Sequence, residues 1–252
     1  MNPYLKHVSR IEFVVTLACT GRCIHCQNGE DLDRTCHIDS DVAKDAIEKI
    51  CGIYDISSVM TFGGEPLLYP DTICTIHETA RNMGIDKRQL ITNGYFTKSK
   101  DHARDIAYRL ADAGVNNLLI SADAFHQETI PLDRVAYFAQ AATKAGIPVT
   151  ISPAWLVSKS DLNPYNYKTH AIVNELSSIE GVHEGNGNVI FPAGNALKYL
   201  SEYFNLDETP IDPYVENPFD LHTISFGANG DVLDDNVYET DITEIVERNQ
   251  PL

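Results

Sequence analysis

Four glycines recur at nearly even intervals, and each comes just after a helix-like stretch and just before an apolar, strand-like run. They are Gly84, Gly114, Gly146 and Gly181, spaced 30 to 35 residues apart. The residue that follows a helix commonly takes a left-handed conformation, which glycine adopts without a steric penalty. The spacing is about that of one strand–helix unit, so the chain is predicted to repeat such units. Strands joined by crossover helices form a parallel sheet with right-handed connections.

The apolar pattern agrees with this alternation. Short β-branched runs predict six strands, at residues 11–17, 58–62, 89–92, 117–122, 148–154 and 188–191. Apolar residues at i, i+3 and i+4 spacing predict helices at residues 41–53, 72–83, 100–113, 133–145 and 169–179. The predicted fold class is therefore α/β. Periodicity alone leaves an open doubly wound sheet and a curved partial barrel as alternatives.

The C-terminal part has a different pattern. In order, it has a helix-like piece, a proline-containing loop and two short apolar runs, at residues 195–204, 210–218, 223–227 and 231–233. Asn229-Gly230 separates the two apolar runs, which is a strong hairpin signal. We therefore expect residues 1–195 to form the core. Residues 196–252 are expected to form an extension or lid and not an independent domain.

The composition of the chain argues against some classes of binding partner and indicates a cellular compartment. The net charge of −17 disfavours nucleic acid and anionic membrane surfaces, because both are bound through basic side chains. The longest apolar stretches are of strand length, so no membrane span is expected. The N-terminus lacks the pattern of an export signal, and six cysteines in 252 residues are too few for a disulfide scaffold. The expected compartment is therefore the reducing cytoplasm.

Three cysteines lie close together directly after the first predicted strand. Cys19, Cys23 and Cys26 have the spacing C-x3-C-x2-C. Three thiolates on one loop can hold three irons of a [4Fe–4S] cluster and leave the fourth iron open, since such clusters normally take four cysteines. The alternative is a structural zinc ion with His25 or His37 as a further ligand. Zinc sites usually have two separated ligand pairs, and the absence of a second C-x2-C favours the cluster.

A second motif, Gly63-Gly64-Glu65-Pro66, follows the second predicted strand. Together with the cysteine loop it resembles the radical S-adenosylmethionine (SAM) superfamily, over about residues 9–195. The resemblance implies a partial (β/α)6 barrel of parallel strands with a short C-terminal helix and hairpin extension. It also implies that SAM binds the open iron of a [4Fe–4S] cluster. One-electron transfer then cleaves SAM to a 5′-deoxyadenosyl radical, which abstracts a substrate hydrogen.

The resemblance also implies which residues bind SAM. They are His25, Gly63, Gly64, Glu65, Asn93, Ser121, Asp123 and Ser152. His25 would contact the adenine, and the glycines would let backbone carbonyls approach the SAM ammonium. Ser121 and Asp123 share one face of a strand and would contact the ribose or carboxylate. Asn93 is equally explained by a turn, because Asn-Gly favours turns.

Three further residues are candidates for substrate contact, namely His126, Gln127 and Trp155. His126 could also move a proton. The alternative for His126 is an ordinary surface residue, and the alternative for Trp155 is packing. Asp123 with His126 is a weak candidate for a metal site. The sequence does not identify a catalytic residue.

The C-terminal part departs from the family pattern. Residues 224–233 resemble the start of the cysteine-rich extension of peptide-modifying members, but Asp234-Asp235 follows and no cysteine lies beyond Cys74. We therefore expect one cluster only. The resemblance favours a peptide or peptide-like substrate, with a small molecule as the alternative. It also implies a reductase, flavodoxin or ferredoxin as electron donor.

Three other functions stay open at this point. Glycyl-radical activating enzymes are also short single-cluster members, but Asp123-Ala124-Phe125 lacks the lysine of their Asp-x-Lys element. A non-catalytic protein with structural zinc would bind neither iron nor SAM. An electron carrier would hold a cluster without binding SAM. The 63–66 motif argues against the last two functions.

Overall fold

The computed structural model describes residues 2–29, 34–205, 212 and 215–251. The strands are β1 (Arg10–Val14), β2 (Ser58–Phe62), β3 (Lys87–Thr92), β4 (Asn117–Ile120), β5 (Val149–Ile151), β6 (Ala154–Trp155), β7 (Val182–Glu184), β8 (Asn188–Val189), β9 (Thr223–Phe226), β10 (Asp231–Val232) and β11 (Asp235–Asn236). The α-helices are α1 (Ser40–Cys51), α2 (Pro70–Asn82), α3 (Lys100–Ala113), α4 (Leu132–Lys144), α5 (Pro164–Ser177), α6 (Gly194–Tyr199) and α7 (Ile242–Arg248).

One large sheet organises the fold, in the order β11-β10-β9-β1-β2-β3-β4-β5-β7. Every neighbouring pair from β9 to β7 is parallel, and the strands β10 and β11 add an antiparallel edge. The helices α1 to α4 connect consecutive strands and pack beside one another. The main hydrophobic core takes its buried side chains from these strands and helices. The predicted α/β class with a parallel sheet is confirmed.

The four regularly spaced glycines have the predicted conformation. Gly84, Gly114, Gly146 and Gly181 all have positive φ, from 79° to 97°. Gly114 ends α3, and its N–H donates to the carbonyls of Leu110 and Ala111. The glycines therefore mark the point at which the chain leaves a helix and turns into the next strand.

The sixth strand of the sheet differs from the prediction. Residues 188–191 were expected to form it, but β7 (Val182–Glu184) pairs with β5, and β8 pairs with β6 in a separate two-stranded sheet. The cause lies at Pro153, which has no N–H to continue the ladder beyond β5. The chain starts a new pairing there, because the amide of Asn188 donates to the carbonyl of Pro153.

The C-terminal part contains the predicted helix and hairpin. The helix-like piece forms α6 and a short 3-10 turn at Ser201–Tyr203. Of the expected proline-containing loop, residues 210, 211, 213 and 214 lie outside the described residues. Strand β9 pairs in parallel with β1 and in antiparallel with β10. The division into a core and a dependent extension stays a prediction. Among the described residues, no helix is long and apolar enough to cross a membrane.

Candidate active site

A cavity of about 350 Å³ opens at the C-terminal ends of the parallel strands. Ten of the candidate residues line it, namely Cys19, Cys23, His25, Cys26, Gly63, Gly64, Asn93, Ser121, His126 and Ser152. They come from loops after five different strands, and a parallel sheet brings such loops to one edge. Four other candidates, Glu65, Asp123, Gln127 and Trp155, lie outside the cavity wall.

The cysteine loop after β1 is fixed by short backbone hydrogen bonds and by α6. The amide of Cys26 donates to the carbonyl of Cys23 at 3.2 Å. Asn195 of α6 donates its backbone N–H to the carbonyl of Cys26 at 2.9 Å and its side-chain amide to the carbonyl of Cys23 at 3.1 Å. Gly194 lies so close that a Cβ atom there would be 2.1 Å from the carbonyl oxygen of Gln27. The C-terminal part thus holds the loop in place, a role that no local motif in the sequence indicated.

The three thiols are free and share the cavity. Burial raises the pKa of Cys23 and of Cys19 above the ordinary thiol value. A thiolate at these positions therefore needs a positive partner such as a metal centre. Two N–H groups already point at the sulfur of Cys19, from Gly21 at 3.3 Å and from the side chain of Asn93 at 3.6 Å. Such donors stabilise negative charge on a ligating sulfur.

The spacing of the sulfur atoms separates a cluster from a single zinc ion. Tetrahedral ligands of one zinc at Zn–S distances of 2.3 Å lie about 3.8 Å apart. Ligand atoms of Cys23, His25 and His126 all lie within 4.8 Å of one another, but the three cysteine sulfurs do not form such a group among the described residues. Three thiols on one loop are a donor set for an iron–sulfur cluster, whereas the spacing of their sulfurs does not suit a single zinc ion. His37, the other histidine considered as a zinc ligand, stacks on Tyr69 at 4.0 Å.

The turn formed by Gly63 and Gly64 lies against the start of the cysteine loop. The amide of Gly64 donates to the carbonyl of Thr16, and that of Glu65 donates to the carbonyl of Ala18, both at 2.7 Å. A Cβ atom on Gly64 would lie 2.2 Å from the Ala18 oxygen, and one on Gly63 would lie 2.3 Å from the Thr16 oxygen. The approach is possible only for glycine, so the two motifs form one unit at the cavity wall.

Glu65 anchors this turn to the end of β3 instead of facing the cavity. Its side chain is fully buried and accepts three hydrogen bonds, from the amide of Leu67 at 3.0 Å, the hydroxyl of Thr92 at 2.7 Å and the amide of Asn93 at 2.8 Å. Burial raises the pKa of Glu65 to about 7, against the effect of these bonds. The residue therefore acts on the site by positioning Asn93 and the glycine turn.

Asp123 has a similar positioning role on the loop after β4. The fully buried carboxylate accepts from the amides of Phe125, His126 and Ala154 and from Nδ1 of His126 at 2.8 Å. Burial opposes ionisation, but the charge and hydrogen bonds of His126 outweigh it, and the pKa of Asp123 lies well below its usual range. A direct contact with a ribose is thus not available to Asp123 in this arrangement. Its effect is to orient the ring of His126 at the cavity wall.

His25 lies beside His126, and their rings meet edge to face at a centroid distance of 4.7 Å. Burial lowers the pKa of His25 to about 4, so the imidazole is neutral at physiological pH. Its Nδ1 atom is buried without a hydrogen-bond partner. A buried polar atom without a partner is costly, and the ring that carries it lines the cavity.

Gln127 and Trp155 do not line the cavity, where a residue that contacts the substrate would have to lie. Gln127 accepts from the amide of Asp123 through its side-chain oxygen. Trp155 is 1% exposed and donates its indole N–H to the carbonyl of Asn186 at 2.7 Å. The turn at Pro153 places the Trp155 ring in the protein and not at the cavity wall, so packing accounts for it.

The family model of the Radical SAM superfamily matches residues 13–157, more than half of the chain. The chain therefore belongs to the Radical SAM superfamily, and it is an enzyme of that class. The family implies SAM and an iron–sulfur cluster as its cofactors, which agrees with the thiols and the glycine turn of the cavity.

Individual relatives agree with this assignment. The "Probable GTP 3',8-cyclase" of Saccharolobus islandicus is 26% identical over 206 residues, which cover 77% of this chain and 63% of the relative. The chain thus spans less than two thirds of that protein. Streptococcus suis SuiB bound to S-adenosylmethionine has a TM-score of 0.60 at 16% identity, covering 95% of this chain and 65% of SuiB. The structure of anSMEcpe with AdoMet and the Cp18Cys peptide has a TM-score of 0.57 at 12% identity, covering 96% and 80%. At these identities the two structures establish the fold alone.

Proposed function

We propose that this protein cleaves SAM reductively at one [4Fe–4S] cluster held by Cys19, Cys23 and Cys26, and that it then removes hydrogen from a substrate. One observation carries the proposal: three thiols and the Gly63-Gly64 turn share the wall of a single cavity. When bound, the cluster and SAM supply a 5′-deoxyadenosyl radical. A reductase, flavodoxin or ferredoxin of the cytoplasm would supply the electron.

The residues of the cavity divide this work. The carbonyls of the Gly63-Gly64 turn receive the SAM ammonium, because the glycines leave the backbone open on that side. The neutral ring of His25 lies against the adenine at the cavity wall. Ser121 and Ser152 offer hydroxyls at the ends of neighbouring strands to the ribose or the carboxylate. The protein's further task is to exclude water from the reacting atoms.

The substrate we propose is a peptide or a peptide-like molecule. The support is the hairpin of β9 and β10, which resembles the start of the extension in peptide-modifying members, and the fold shared with SuiB and anSMEcpe. A nucleotide is the second candidate, because the curated relatives are named as GTP 3',8-cyclases. Generation of a glycyl radical on a partner protein is the third.

The first experiment tests the cleavage itself. We expect the reconstituted protein to form 5′-deoxyadenosine from SAM with dithionite, and Cys23→Ala to lose this activity. Cys51→Ala is the matched control, since Cys51 lies in α1 outside the cavity wall. Its activity should equal that of the wild type. Equal deoxyadenosine formation by Cys23→Ala and the wild type would contradict the proposal.

A second experiment separates the substrate classes. The protein is incubated with SAM and, in turn, candidate peptides encoded near its gene, GTP, and candidate partner proteins. A mass change in a peptide supports the proposed class. Consumption of GTP or a glycyl-radical doublet in the electron paramagnetic resonance (EPR) spectrum of a partner would replace it, while leaving the cleavage reaction intact.

A further inference from the structure

Three metal-ligating side chains converge at the edge of the sheet that lies opposite the cysteine loop. Nδ1 of His7 lies 2.6 Å from one carboxylate oxygen of Asp220, and Nε2 of His222 lies 3.8 Å from the other. One ligand atom from each residue lies within 4.8 Å of the others. The two imidazole rings are nearly parallel, at a centroid distance of 5.7 Å. Two imidazoles and a carboxylate form a ligand set that divalent transition metals prefer.

The backbone that carries these side chains is well fixed. The amides of Ser9 and Arg10 both donate to the carbonyl of His222, at 3.0 and 3.2 Å, and the amide of Leu221 donates to the carbonyl of Tyr4 at 2.9 Å. Directly after these bonds, β1 and β9 pair in parallel. The three side chains are therefore held together by the same contacts that join the C-terminal strand to the N-terminal one.

The group formed by His7, Asp220 and His222 is separate from the cavity at the cysteine loop. His7 and His222 precede β1 and β9, whereas Cys19 follows β1. Five residues of strand span about 16 Å, so an ion bound here cannot share ligands with the cysteine loop. The side chains of His7, Asp220 and His222 are 50%, 40% and 58% exposed, which leaves them accessible to an ion from solution.

The charged side chains near His7, Asp220 and His222 favour a bound cation on balance. His7 and Asp220 share one hydrogen bond at 2.6 Å, and a cation bound between them would replace its proton. Lys6 is a nearby positive charge that opposes a cation. Glu216, which accepts from the amide of His222, lies on the same segment and favours one. An open site of three protein ligands leaves a fourth position for water.

We propose that His7, Asp220 and His222 bind one Zn²⁺ or a similar divalent transition-metal ion. The ion joins the segment before β1 to the segment before β9, which are more than 200 residues apart in the sequence. Because a ligand that binds only the folded state stabilises it, the ion raises the thermal stability of the chain. This site is independent of the reaction at the cysteine loop.

The test is anaerobic calorimetric titration of the full-length, cluster-loaded protein with Zn²⁺ after a chelator wash. We expect one zinc per chain for the wild type, and at least about tenfold weaker binding for His222→Gln. His183→Gln is the matched control, because His183 is an exposed histidine on β7 and lies outside the cluster. It should bind zinc as the wild type does. His7→Gln repeats the test from the other strand, and circular dichroism checks that each variant is folded.

X-ray absorption at the zinc edge decides where the ion binds. The proposal predicts nitrogen and oxygen neighbours only. Sulfur neighbours at about 2.3 Å would place the zinc on the cysteine loop and overturn the proposal. Equal zinc affinity in the wild type and in both histidine variants would overturn it as well. So would the absence of any zinc binding by the protein that already holds its iron–sulfur cluster. The last two results would leave the cleavage of SAM untouched, whereas zinc on the cysteine loop would also count against the iron–sulfur cluster proposed there.

Discussion

The substitution Gly64→Ala probes the contact between the glycine turn and the cysteine loop. The added Cβ would lie 2.2 Å from the carbonyl oxygen of Ala18, where about 3.0 Å is the lower limit, so the turn must move by at least 0.8 Å (3.0 − 2.2). That movement stretches the 2.7 Å hydrogen bond from the Gly64 amide to Thr16. Overpacking of this kind costs about 1–3 kcal/mol. A misplacement of about 1 Å in the groups that position a substrate can lower the reaction rate about 100-fold.

We therefore expect Gly64→Ala to raise the Kd for SAM at least about tenfold, which corresponds to about 1.4 kcal/mol. Equilibrium dialysis of the reconstituted protein with labelled SAM measures this change, and the iron content shows whether the cluster is retained. Gly52→Ala is the matched control. Gly52 ends α1 with φ −72° and ψ −16°, which alanine adopts readily, so SAM affinity should stay unchanged. If Gly64→Ala binds SAM as tightly as the wild type, the turn does not form the SAM site.

Three further variants test other parts of the account. His77 is fully buried with a pKa lowered by burial from 6.5 to about 3, so its contribution to stability is present above pH 6.5 and is lost as the pH falls. Between pH 6.5 and 5.0 the free energy of unfolding of the wild type should fall by about 1.6 kcal/mol more than that of His77→Gln. Urea-unfolding midpoints that shift equally with pH in the two proteins would contradict this. Asp123→Asn replaces one of the two carboxylate oxygens by an NH2 group, so the buried donors on that oxygen lose their acceptor and the free energy of unfolding should fall by about 3 kcal/mol. The change should also slow deoxyadenosine formation by releasing His126, and an unchanged rate would refute the positioning role. Asn93→Ala should make the cluster's midpoint potential more negative by removing the N–H donor to Cys19, and an EPR-monitored redox titration that finds the same potential would exclude that contact.

Much of the fold could be predicted because its signals are local. The glycines after the helices and the apolar runs repeat with a regular period, and each describes its own neighbourhood. The strand β7 lacks the apolar pattern that predicts a strand, because it has only one buried apolar residue, Val182, followed by the exposed His183 and Glu184. The run around Val189 looked more like a strand, but the break at Pro153 changes which segments pair.

The parts of the site that follow from local sequence patterns could also be predicted. The spacing of the cysteines and the glycine turn are local patterns, and both lie at the cavity wall. Strand parity placed Asp123 inward, but the amides of Phe125 and His126 turn its carboxylate back onto the loop. Asn195 holds the cysteine loop from a helix 172 residues away in the sequence. A contact of that kind depends on tertiary packing, which no local pattern describes.

The most direct test of the central claim is the metal content of the anaerobically reconstituted protein, combined with the EPR spectrum of the reduced sample before and after SAM is added. The account predicts four irons per chain and a spectrum that changes with SAM, because SAM binds the iron that lacks a cysteine. Zinc in place of iron, or a cluster whose spectrum is the same with and without SAM, would contradict it.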